Sequence, residues 1–102
     1  MTFVNSIVLT GLAGDCTKSG ISKDGTPYAF GSIGVKREEP SKLTDYFVLA
    51  GFGDVAGQIA LFTKCTPNSV RGRMEVNRYT AKDGTVKESY RVMVDSITRV
   101  AE

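Results

Sequence analysis

Apolar residues recur at every second position over most of this chain, and that period admits β-strands while excluding a helical protein. Residues 4–10, Val-Asn-Ser-Ile-Val-Leu-Thr, are rich in β-branched side chains and are closed by Gly11 and Gly14. Residues 28–36 place Ala29, Gly31, Ile33 and Val35 on one face and Tyr28, Phe30, Ser32 and Lys36 on the other. Residues 44–52 set Phe47 and Leu49 against Tyr46, Val48 and Phe52. Both of those faces carry apolar side chains, so the period alone leaves the core side open. Residues 68–79 alternate Val70, Gly72, Met74 and Val76 with Arg71, Arg73, Glu75, Asn77 and Tyr79. Residues 86–100 form the last predicted strand, with Tyr90, Val92 and Val94 expected inward.

Turn chemistry and one change of period organise these strands. Lys23-Asp24-Gly25-Thr26 and Ala81-Lys82-Asp83-Gly84-Thr85 are hairpin turns, because Asp-Gly supplies the positive φ that a tight reversal demands. Residues 38–42 are a polar connection. Val55, Ile59 and Phe62 then recur at i, i+4 and i+7, the stripe of a short amphipathic helix that plugs one end of the sheet, with Asp54 expected to cap it. Three strands, one helix and two strands fit an all-β, five-stranded Greek-key barrel of the OB type, a closure that removes most sheet edges. Other α+β arrangements share the same count.

With 102 residues and no repeat or linker, residues 1–102 read as a single domain with one core. Histidine is absent, so the commonest general acid–base is missing and neither a Ser-His nor a Cys-His pair can be assembled. Cys16 and Cys65 lack CxxC spacing and have no histidine to complete a zinc set, and no glycine-rich segment ends in Gly-Lys-Ser/Thr. No catalysis, metal or cofactor is therefore expected. The opening residues lack a charged signal region, and no apolar run approaches a membrane span, so the expected place is a reducing cytoplasm.

Charge is informative through its placement. Thirteen Lys and Arg against eleven Asp and Glu leave a net +2, yet Arg71, Arg73, Arg78 and Lys82 cluster against the single acid Glu75. Guanidinium groups pair with phosphates and aromatic rings stack on bases. Arg71, Arg73 and Tyr79 on one strand face, Tyr46 and Phe52 on another, and Phe30 with Tyr28 on a third describe a stacking platform in a positive groove. Solubilising charges and plain core aromatics are the competing interpretation. The first strand is apolar on both faces, and Met93 and Ile97 lie off the Tyr90–Val94 row, so one side of the domain is expected to pack on another copy.

The order of several segments resembles the bacterial and phage single-stranded DNA-binding (SSB) family over nearly the whole chain. The start Val4-Asn5-Ser6-Ile7-Val8-Leu9-Thr10-Gly11-Leu12 is similar to that family's Val-Asn-x-Val-x-Leu-x-Gly opening. Asp24-Gly25-Thr26-Pro27-Tyr28-Ala29-Phe30 parallels its hairpin, and Thr44-Asp45-Tyr46-Phe47 with Ala50-Gly51-Phe52-Gly53 parallels its aromatic third strand. Val70-Arg71-Gly72-Arg73-Met74 resembles its Val-x-Gly-Arg-Leu signature.

The resemblance implies an OB domain, tetramer favoured over dimer, that binds single-stranded DNA. It implies base-stacking roles for Tyr46, Phe52 and Tyr79 and phosphate contacts for Arg71, Arg73 and Lys36. The chain departs from the family in having no tryptophan and no aromatic among residues 36–40. It also ends at Arg99-Val100-Ala101-Glu102 without the family's acidic C-terminal tail, which puts recruitment of replication and recombination proteins in doubt.

The function expected is sequence-tolerant protection of single-stranded DNA in replication, recombination or repair, in a bacterium or in a phage-infected host. The alternative is an SSB-like OB module for protein contact, such as a primosome component or an inhibitor of a host single-strand binder. A third candidate is an OB domain for RNA, oligosaccharide or another ligand.

Overall fold

A computed structural model describes residues 1–100 of the chain. Six strands and one helix follow in the order β1 (Ile7–Ala13), β2 (Lys18–Ile21), β3 (Pro27–Lys36), β4 (Thr44–Phe52), α1 (Asp54–Ala60), β5 (Thr66–Thr80) and β6 (Val86–Arg99). The sheet runs β1-β5-β6-β4-β3-β2, and an added β1–β3 pairing brings its ends together roughly in a ring. Every contact is antiparallel except β4–β6, which is parallel through Leu49↔Val92 and Ala50↔Met93.

The core lies inside that ring. Leu9, Ala29, Ile33, Leu49, Val70, Val92 and Val94 enter it from the strands, and Ala56 and Ile59 enter from α1. Burying an aliphatic side chain of this size is worth about 1.5–3 kcal/mol, so the cluster is the main stabilising element. The helix sits close on the sheet: a Cβ at Gly51 would lie 2.6 Å from the Ile59 Cδ1.

Both Asp-Gly turns form as their sequence dictates. Gly25 and Gly84 adopt φ of 88° and 85°. In each turn the N–H of Ser22 or Ala81 donates to the carbonyl of Thr26 or Thr85, the glycine N–H donates back to the Ser22 or Ala81 carbonyl, and the aspartate carboxylate accepts the amide of the threonine two residues on.

Four sequence expectations need correction. There are six strands, because Lys18–Ile21 pairs with the first half of β3 although Lys-Ser-Gly-Ile carries no alternation. β1 begins at Ile7 and passes through Gly11 to Ala13, so Gly11 does not close it. The glycine is a crossing point, where a Cβ would stand 2.2 Å from the Gly34 carbonyl oxygen of β3. Ahead of β1, the Asn5 side-chain amide donates to the Met74 carbonyl at 2.7 Å and its oxygen accepts the Met74 N–H at 3.0 Å, standing in for a strand pair.

Asp54 does not cap α1. Gly53 is the N-cap at φ 72°, and Asp54 is the first helical residue, with Phe62 lying past the helix end yet packed on the core. Tyr90 does not point into the core either; it is 57% exposed. The pair Val76↔Tyr90 lies beyond Met74↔Val92, where β5 and β6 leave the ring and continue as a two-stranded ribbon.

Candidate nucleic-acid interface

Register decides which side chains share a face, because directly opposed residues project to the same side. Across β3 and β4, Tyr28 faces Phe52, Phe30 faces Ala50, Ser32 faces Val48, Gly34 faces Tyr46 and Lys36 faces Thr44. The intervening row, Ala29, Ile33 and Leu49, is buried, so the first row lies on the outer side of the ring. Tyr46 is 76% exposed and Phe52 44% exposed, which removes the plain-core interpretation of Tyr46 and leaves Phe52 half covered. The Tyr28 and Phe30 rings pack with centroids 5.9 Å apart at a 53° tilt. Tyr28 thus joins the aromatic row beside Phe30 and Phe52.

The outer surface continues across β6 onto β5 through Ala50↔Met93 and Met93↔Arg73. Along β5, Arg73, Glu75, Asn77 and Tyr79 alternate on that side, with Tyr79 51% exposed on the ribbon. Its direct partner is Lys87, a cation with no ion pair among the described residues. Lys87 was not singled out from sequence, although counting outward from the Asp83-Gly84 turn fixes Tyr79 opposite it.

The cation cluster is less free than its strand alone implies. Residues 71–95 hold six cations and four acids, because β6 brings Glu88 and Asp95 beside β5. Arg73 lies 3.7 Å from Asp95, Arg78 3.0 Å from Glu88, and Arg91 2.7 Å from Glu75. Arg71, exposed between buried Val70 and Gly72, has no acidic partner among the described residues, and neither does Lys36 at the far end of the β3–β4 row. Arg78 projects from the ribbon face opposite Tyr79. There Glu88 also accepts a 2.8 Å hydrogen bond from the Tyr90 hydroxyl, and that bond raises the Tyr90 phenol above its ordinary value. The structure therefore brings Tyr46, Phe52 and Phe30 onto one surface with Arg73 and Tyr79 in continuation, and sets Arg78 apart.

Beside this surface, Arg37 grips Asp45 through two hydrogen bonds of 2.9 and 3.0 Å, which hold the Asp45 carboxyl below the usual carboxylate range. The half-buried Cys16 and the exposed Cys65 are both free thiols. Among the described residues no cluster of three or more His, Cys, Asp and Glu could hold a metal ion, and no helix is long and apolar enough to cross a membrane. The chain matches no protein-family model and no curated protein sequence.

Proposed function

We propose that the chain is an OB-type module that binds single-stranded DNA without sequence preference, through base stacking and phosphate contacts. In this view β1 and β2 are the two halves of one bent first strand, both pairing with β3, which reduces six strands to the five of an OB barrel. The observation that carries the proposal is the set of solvent-facing rings, Tyr46, Phe52 and Tyr79, on an outer sheet surface flanked by Lys36, Arg71 and Lys87, cations with no ion pair among the described residues. Solvent-facing rings gain when a partner covers them, and a base offers a π-face whatever its identity. Duplex DNA offers no such faces to stack on.

The same module would protect single strands during replication, recombination or repair, in the cytoplasm of a bacterium or a phage-infected cell. Self-association, as tetramer or dimer, accounts for a second exposed strip: Phe3 and Val4 ahead of β1, and Val8 on it. That strip also favours the alternative of a protein-contact OB module. A fluorescence titration with oligo-dT, duplex DNA and RNA of equal length, over a range of salt, separates the two. Preferential, salt-sensitive binding to oligo-dT supports the single-strand reading, and equally weak binding to all three overturns it. Sedimentation showing a monomer at micromolar concentration would remove the assembly claim.

A further inference from the structure

We infer that a groove at the β1–β3 crossing takes one whole nucleotide of the bound strand, its base against Tyr46 and its phosphate between Lys36 and Lys64. The inference rests on the single-strand reading and adds a subsite to it. The groove has a volume of about 440 Å³, within the range of small-ligand sites. Its floor is made where two strands cross almost without side chains. Gly11 stands so close to Gly34 that a Cβ there would lie 2.2 Å from the Gly34 carbonyl oxygen, and a Cβ at Gly34 would lie 3.0 Å from the Tyr46 Cε1. The bare backbone at Gly34 lets the Tyr46 ring lie low across the crossing, while Leu12, half exposed, forms an apolar wall.

The rim carries the complementary charge. Lys36 enters from the end of β3 and Lys64 from the connection between α1 and β5, and neither has an ion pair among the described residues. The Lys64 connection is held over the groove by the Cys65 N–H, which donates to the Ala13 carbonyl of β1 at 2.8 Å. A flat apolar ring with one anionic group is the chemistry these walls recognise. A neutral sugar or an acidic peptide would leave either the ring or the lysines unmatched. The groove also explains a cation that sequence alone leaves idle, since Lys64 is remote in the chain from the Arg71–Lys82 cluster.

Cys65 lines the groove and its thiol is exposed, so it reports occupancy directly. The rate of alkylation by iodoacetamide would be followed at Cys65 by peptide mass spectrometry, with the half-buried Cys16 as internal reference. Saturating oligo-dT is expected to slow Cys65 about tenfold or more, as mass action requires of an occupied site, and an abasic oligodeoxynucleotide at matched occupancy is expected to slow it far less. Lys64→Ala is expected to lower the slope of log affinity against log salt by about 0.7 for one lost phosphate contact.

Cys65 alkylated at the free rate while oligo-dT is demonstrably bound would overturn the groove and leave the single-strand reading standing. Equal protection by abasic strand would show that no base enters, and an unchanged salt slope in Lys64→Ala would remove the phosphate. Failure of oligo-dT to bind at all would instead sink the single-strand reading itself.

Discussion

The closed ring and the β5–β6 ribbon are built from the same alternating sequence, yet they use it for opposite ends. In the ring one parity of β1, β3, β5 and β6 is buried, and Ile33, Leu49, Val70 and Val92 hold the fold together. From Val76 to Tyr90 both parities face solvent; Val76, Tyr79, Val86 and Tyr90 are all exposed, and cross-strand pairs such as Arg78–Glu88 replace core contacts. Stability therefore resides in the ring. The ribbon contributes surface, and its rings and cations are free to be selected for binding. The lower part of the outer surface, around Tyr46, is intermediate: its side chains face solvent but stand on the rigid ring.

The strongest way to break that division is to cut the core. Ile33→Ala is expected to cost about 2–5 kcal/mol, lowering the melting temperature by roughly ten degrees or more in calorimetry. Its surviving folded fraction should bind oligo-dT like the parent. Next come the exposed rings. Tyr46→Ala and Tyr79→Ala should melt within a few degrees of the parent while oligo-dT affinity falls about tenfold or more, since each stacked base is worth about 1–3 kcal/mol. Early melting with normal binding in both would return these tyrosines to the core. Phe52, more covered, should show a mixed result.

The cations sharpen the contrast further. Arg71→Ala should reduce the salt slope by about 0.7, and Arg73→Ala by less, because Asp95 already competes for its guanidinium. Arg78→Ala, on the opposite ribbon face, should leave the slope unchanged; an equal loss from all three would show that strand face does not matter.

The smallest effect concerns the two Lys-Asp-Gly-Thr turns, one at the β2–β3 tip and one at the β5–β6 tip. Hydrogen bonds from Ser22 and Thr26 hold the Asp24 carboxyl below its ordinary value, and those from Thr85 do the same for Asp83. A depressed carboxyl stabilises the folded turn while it is ionised, and that contribution is lost as pH falls through its lowered pKa. Both groups are fully exposed, so solvent screens the effect. Asp83→Ala should raise amide hydrogen exchange at the ribbon tip alone, with no measurable change in melting at neutral pH. Faster exchange across the ring would join the two regions into one cooperative unit.

Much of the ring was legible in the sequence because one buried parity leaves a clear mark: the 28–36 and 44–52 segments fall within a residue of β3 and β4. The strands and turn of the ribbon were legible too, but not its exposure, since alternation persists where neither face is buried, and Tyr90 was expected inward for that reason. Lys18–Ile21 left no pattern because its strand is held by backbone bonds to β3 rather than by side chains. At the candidate site, strand parity placed Tyr79 on the face of Arg71 and Arg73, whereas it left the core side of 44–52 open, and Tyr46 was singled out by the resemblance. The neutralising roles of Glu88 and Asp95 and the position of Lys87 beside Tyr79 were missed, because they belong to the pairing of two strands and a single strand cannot display them.

The ring is sewn by two narrow seams, the two-residue contact of β4 with β6 and that of β1 with β3. The β3–β4 and β5–β6 hairpins assemble from neighbouring chain, whereas Leu49 must find Val92 across about forty intervening residues, an entropic cost that only a nearly finished structure offsets. Closure is therefore expected to be a late event in folding, with the hairpins already formed. A Val92→Ala variant should then unfold faster while folding at nearly the parental rate in stopped-flow measurements. A chain organised in this way can open at a seam and reseal without dismantling either hairpin.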